Sequence, residues 1–197
     1  MLAGAASTAT ARWHPGNGEI AFAADIIGRA RLKGRTDMVG SMGLALPKGI
    51  TPAGSGKAGQ PQDVVWSILG HTYWLKAEAE SCFIFETLDP PGTFVPPHIH
   101  PTQDEFIYML DGIFDLYLDG TWTQAKAGDL ARMPKGLPHA YYNRQDKPAR
   151  ALFSVTPARR LRELFDQLHN LGDPEEVVRR SKVCEVDFLP PGSVPGA

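Results

Sequence analysis

An all-β fold, a sandwich or barrel of short strands, is predicted by three features of this sequence. From about Asp63 the chain breaks into β-branched or aromatic runs divided by turn residues: VVWSIL, HTYWLKAEA, SCFIFETL, EFIYML, IFDLYLDG, TWTQAKAG, DLARMP, HAYYN and ALFSVT. Two Asp-Gly pairs, Asp111-Gly112 and Asp119-Gly120, are hairpin signals between such runs. Glycine (20) and proline (17) are abundant among the 197 residues, which suits a chain with many tight turns.

The length suggests one domain with an appended arm, and 43% hydrophobic residues can fill a sizeable core. Residues 1–61 read as an irregular N-terminal extension. Its runs IAFAADIIGRARL and VGSMGLAL have no clean period, and PKGITPAGSGKAGQP, from Pro47 to Pro61, reads as a linker or long loop. Residues 62–157 are the expected β-barrel, and 158–197 a helical segment and tail packed on its outside. Thr156-Pro157 reads as a cap followed by a first helical residue. Leu161, Leu164, Phe165 and Leu168 then recur at i, i+3, i+4 and i+7, which gives one apolar helix face. Gly172 is expected to end that helix, and Asp173-Pro174-Glu175-Glu176 to open another with acids in its first turn. VDFLPPG reads as an extended tail.

Several function classes find no support. A formal charge of −2, with no basic patch or helix-turn-helix, gives no sign of a nucleic-acid partner. No apolar run is long enough to span a membrane. The opening MLAGAASTATARWH lacks the basic and apolar regions of a signal peptide. A cytoplasmic protein with two reduced thiols, Cys82 and Cys184, is therefore expected. There is no G-x-S-x-G, and GSGKAG lacks phosphate-loop spacing.

His98, His100, Glu105 and His139 are spaced to hold one metal ion. Residues two apart in a strand share a face, so His98 and His100 aim their rings the same way. The turn PTQD lets the Glu105 carboxylate swing back beside them, and His139 arrives from a different hairpin after PKGLP. Three imidazole nitrogens and one carboxylate suit a divalent transition metal without deciding among Fe, Mn, Ni, Co, Cu and Zn. Isolated histidines are usually packed or solvated, and His14, His71 and His169 are read that way. Gln103 and Asp104 read as solvated turn residues.

The two segments resemble the motifs of the cupin superfamily, G-x5-H-x-H-x4-E-x6-G and G-x5-P-x-G-x2-H-x3-N. Gly92, His98, His100, Glu105 and Gly112 fill the first; Gly128, Pro134, Gly136, His139 and Asn143 fill the second. The resemblance implies a double-stranded β-helix, or jelly-roll barrel, with the metal inside. Weaker matches (WxxLG at Trp66, PPG at Pro90, PPHxH at Pro96 and FLPPG at Phe188) resemble single-domain, quercetin-dioxygenase-like cupins. Cupins often dimerise by sheet addition, so a homodimer is expected.

Counting parity outward from the ligands places Phe94, Ile107, Met109, Met133 and Tyr141 inside, as an apolar and aromatic substrate pocket. Such a lining suits a planar phenolic or enolic small molecule. The expected activity is a dioxygenase reaction, with Glu105 as proton acceptor and Tyr141 as an orienting hydroxyl. Rival readings are a non-catalytic ligand or metal sensor, and a sugar isomerase or epimerase. The last would want an inward Arg or Lys, whereas Arg132 reads as outward and Lys135 as a turn residue.

Overall fold

Ten strands, two helices and a closing two-residue strand follow one another in the described residues of the computed structural model, which are 50–51, 54–61 and 64–196. The expected extension up to residue 49, with His14, lies outside them. The strands are β1 (Val65–Ile68), β2 (His71–Ala79), β3 (Cys82–Asp89), β4 (Phe94–Ile99) and β5 (Asp104–Asp111). Then come β6 (Ile113–Leu118), β7 (Thr121–Lys126), β8 (Leu130–Met133), β9 (His139–Tyr142) and β10 (Ala149–Thr156). Helices α1 (Leu161–Leu168) and α2 (Pro174–Val183) precede β11 (Asp187–Phe188).

The strands form two antiparallel sheets, ordered β1-β2-β3-β10-β5-β8 and β11-β4-β9-β6-β7, as expected of a jelly roll. Alternation sets the inner faces. Strand β2 buries His71, Tyr73 and Leu75, and β10 buries Ala149, Ala151, Phe153 and Val155. Of the two Asp-Gly pairs, only Asp119-Gly120 closes a hairpin, with both φ angles positive and Leu118 opposite Thr121. Asp111-Gly112 instead carries the chain from one sheet to the other. Gly112 (φ 77°) lies so close to β10 that a Cβ there would meet the Ala149 Cα at 2.8 Å.

Helix α1 buries the expected face of Leu161, Leu164, Phe165 and Leu168. Phe165 sits among four rings, 5.4 Å from Trp66, 5.1 Å from Tyr73, 5.3 Å from Phe83 and 5.0 Å from Phe85. Each such burial contributes roughly 1.5–3 kcal/mol. The Trp66 indole N–H donates to Asp166 Oδ1 at 2.8 Å and fastens α1 to β1. The helix does not begin at Pro157. Thr156 still pairs with Asp104 in the sheet and its hydroxyl donates to the Ser81 carbonyl, so it is not available as a cap. The helix also stops at Leu168, before Gly172. Helix α2 starts as expected, with Asp173 accepting from the Glu175 N–H at 3.0 Å. The apolar face of α1, with Val177 of α2, joins the same core cluster as residues of both sheets.

The end of the expected loose linker is pinned. Glu86, on β3, accepts from the Gly59 N–H at 3.0 Å and from Lys76 Nζ at 2.8 Å, and also pairs with Arg150. Cys82 and Cys184 are free thiols. No helix among the described residues is long and apolar enough to cross a membrane.

Candidate metal centre

Two sheets and one turn bring the four candidate ligands together. His98 on β4 and His139 on β9 are cross-strand partners, with ring centroids 4.3 Å apart. His100 stands just beyond β4, in the turn that carries the chain to the opposite sheet, where Glu105 lies on β5. The Gly136 N–H donates to the His100 carbonyl at 2.9 Å, which ties the loop before β9 to that turn. One ligand atom from each of the four lies within 4.8 Å of all the others, and all four residues are buried. Bonds of about 2.0–2.2 Å to one ion require donors no more than about 4.4 Å apart, so small side-chain shifts close the set.

Hydrogen bonding fixes which nitrogen each imidazole presents. His98 Nδ1 faces the Pro96 carbonyl at 2.8 Å and His139 Nδ1 faces the Leu137 carbonyl at 3.0 Å. A carbonyl only accepts, so both Nδ1 atoms carry the proton and both Nε2 atoms are bare. His100 is set indirectly. The Gln103 amide nitrogen donates to the Pro157 and Ala158 carbonyls at 2.9 and 3.0 Å, which turns its oxygen toward His100 Nδ1 at 3.2 Å. Three bare Nε2 atoms thus converge beside a carboxylate, with His100 Nε2 3.4 Å from Glu105 Oε2. Two lone-pair donors at that distance need a proton or a metal ion between them.

Electrostatics agree with this arrangement. Burial pushes His98 well below the ordinary imidazole range, and the rings of His139 and His100 add to the shift. Burial likewise lowers His139, against the attraction of Glu105. Burial alone would raise Glu105, but in the metal-free chain a hydrogen bond from a proton shared with His100, and attraction to the His100 and His139 rings, outweigh it and hold the carboxyl low. His139 Nε2 is buried and has no hydrogen-bond partner. An orphaned nitrogen, a buried carboxylate and two further bare nitrogens fit a divalent transition ion.

The quartet opens into a cavity walled by both sheets and both helices. His98, His100, Glu105 and Tyr141 line it with Val95, Tyr73, Phe85, Phe153, Phe165 and Leu168, among others. Of the five side chains expected to form a pocket, only Tyr141 does so. Phe94 is 45% exposed and stacks on Tyr142 at 5.1 Å on the outer face. Its parity fails because Val95 pairs with Tyr141 while His98 pairs with His139: three steps on β4 match two on β9. This bulge at Pro96-Pro97 makes Val95 the inward residue. Ile107, Met109 and Met133 do point inward but are packed in the core, away from the cavity. Gln103 is fully buried rather than solvated, and acts as the support of His100. His71 and Tyr73 line the cavity from β2. The alternation of HTYWL could have shown them facing inward, but not which end of the barrel they reach. Asp104 is not a turn residue but the first residue of β5, half-buried opposite Thr156, and its carboxylate accepts from Arg132 and from the Lys135 N–H. Asn143 closes its own turn, donating to the Asp89 and Lys147 carbonyls at 2.8 Å.

Comparison with known proteins places the same stretch in a family. Residues 85–155 match the family model described as Cupin domain. A 68-residue stretch is 40% identical to germin-like protein 9-3 of Oryza sativa subsp. japonica, over 32% of each chain. Seventy-nine residues are 30% identical to polyketide synthase CurC of Streptomyces cyaneus, covering 40% of this chain and 51% of that one. Eighty-five residues are 34% identical to quercetin 2,3-dioxygenase of Bacillus subtilis, covering 43% of this chain and 25% of that one. The chain therefore matches between a quarter and about half of the length of these relatives. The jelly-roll sheets, the buried ligand quartet and the family match all fall on one barrel, and residues 85–155 of this chain are a cupin domain.

Proposed function

We propose that this chain is a metal-dependent dioxygenase acting on a small phenolic or enolic substrate. The observation that carries this reading is an apolar, aromatic cavity that opens onto His98, His100 and Glu105. His98, His100, His139 and Glu105 would hold the ion. When bound, the ion supplies a Lewis acid and template that favours a deprotonated substrate oxygen. The chain's own residues do the rest. Glu105, buried and held anionic, accepts the proton that the substrate hydroxyl gives up. Phe85, Phe153 and Phe165 offer flat apolar walls to a planar ring and keep water out. Tyr73 and Tyr141 share one hydrogen bond, 3.3 Å between oxygens. Burial raises both hydroxyl pKa values, so both stay protonated. One proton bridges the pair, and the other is available to orient a substrate oxygen.

Similarity to a quercetin 2,3-dioxygenase and to a polyketide synthase component supports a polyphenolic or polyketide-like substrate. No Arg or Lys is among the described residues that line the cavity, which counts against a sugar phosphate. The test is elemental analysis of the purified protein together with oxygen uptake on flavonols, β-diketones and thiols. Stoichiometric uptake with flavonols or diketones, lost in His139→Ala, is expected. Tight binding of those compounds with no oxygen consumed would make the protein a sensor instead.

A further inference from the structure

Two buried side-chain polar atoms among the described residues lack a hydrogen-bond partner: His139 Nε2 and Ser181 Oγ. The first belongs to the metal centre. The second lies elsewhere in the wall of the same cavity, on α2, and nothing in the proposed chemistry uses it.

Ser181 is 1% exposed and lines the cavity with Leu164, Leu168, Val177, Val186 and Phe188. Within a helix, a serine hydroxyl ordinarily turns to solvent or back to the carbonyl four residues earlier. Ser181 does neither. The side chains that share its part of the wall are apolar and offer nothing to bond. A hydroxyl left bare in an apolar wall is costly unless something that enters the cavity satisfies it.

We propose that Ser181 is a specificity residue that hydrogen-bonds a neutral oxygen on the substrate, remote from the oxygen that faces the metal centre. The substrate class narrows accordingly. It is a planar, largely apolar phenol or enol with a second hydroxyl or carbonyl on its far side, where α1 and α2 cover the barrel. A charged group is disfavoured there, because the surrounding wall has no counter-charge. The inference rests on the dioxygenase reading of the cavity and sharpens it.

The probes are 3-hydroxyflavone and its 2′-, 3′- and 4′-hydroxylated forms, with binding to the metal-loaded protein followed by fluorescence titration. At least one hydroxylated form should bind wild type five- to tenfold more tightly than 3-hydroxyflavone. In Ser181→Ala that preference should vanish while 3-hydroxyflavone binds as before. A preference that survives in Ser181→Ala overturns the role of Ser181 and leaves the dioxygenase reading standing. Failure of all four probes to bind wild type overturns the polyphenol reading and the subsite with it. Thermal melting of the ligand-free proteins is an independent check. Ser181→Ala should melt at or slightly above the wild-type temperature, since it removes an unpaired hydroxyl. A clear drop would mean that the hydroxyl has a protein partner, which refutes the proposal.

Discussion

Two histidine–carboxylate clusters lie buried along one cavity, and they differ in what remains unsatisfied. In the first, three imidazoles spend Nδ1 on oxygen acceptors and turn bare Nε2 atoms toward Glu105. In the second, His71 uses both nitrogens: Nδ1 meets Asp89 Oδ1 at 2.5 Å and Nε2 meets the Phe94 carbonyl at 3.2 Å. The other Asp89 oxygen accepts from the Thr87 hydroxyl, and the Asp89 carbonyl accepts from Asn143. One cluster is complete within the chain and the other becomes complete only with an added cation. Composition alone would not separate them; the hydrogen-bond inventory does.

The sharpest way to break this contrast is to damage one member of each cluster and measure two properties. His139→Ala should lose at least tenfold in metal content by elemental analysis, with little loss of stability in the metal-free protein. Asp89→Ala should keep one metal per chain and lose about 3 kcal/mol in urea unfolding, because His71 then stands in the interior without its partner. If Asp89→Ala loses its metal while remaining folded, or His139→Ala keeps its metal, the division between a functional and a structural cluster is wrong.

A smaller effect tests whether the bare nitrogens depend on their supports. Gln103 fixes the tautomer of His100 from outside the quartet, so Gln103→Ala should weaken metal affinity roughly 10- to 100-fold while leaving stoichiometry at saturation unchanged. Competition with a chelator measures this directly. Unaltered affinity would mean that His100 presents Nε2 without help.

The ligands were legible in the sequence because their positions depend on local spacing: a strand, a four-residue turn and the next strand. The sheets were legible from strand texture and turns. What failed was whatever depended on distant contacts. The parity of Phe94 was overturned by a bulge at Pro96-Pro97, which exists only relative to β9. Ile107, Met109 and Met133 were rightly placed inward, but parity does not say whether an inward residue meets a cavity or a neighbour. The apolar face of α1 was plain, yet periodicity cannot say what a helix will pack against, so Leu164, Phe165, Leu168 and Ser181 went unseen as cavity wall. Gln103 looked like a polar turn residue, and only the two carbonyls after β10 reveal its role.

A third buried acid extends the comparison to a site with no chemistry to do. Glu86 is almost fully buried under the segment around Gly59, where Lys76, Arg150 and the Gly59 N–H occupy its oxygens. Burial alone would raise its pKa, but the bonds from Lys76, Arg150 and Gly59 overcome that and hold it below the ordinary carboxylate value. A depressed folded-state pKa contributes stability that is fully present above the unfolded value and is lost as pH falls through the folded one. The stability difference between wild type and Glu86→Gln should therefore be constant near neutrality and shrink as pH falls below about 4. Metal content should be the same in both proteins at pH 7. Chemical unfolding at several pH values reads the first expectation and elemental analysis the second. A difference that grows on acidification would mean that Glu86 is strained rather than satisfied, and full partnership would then no longer mark a purely structural charge in this barrel.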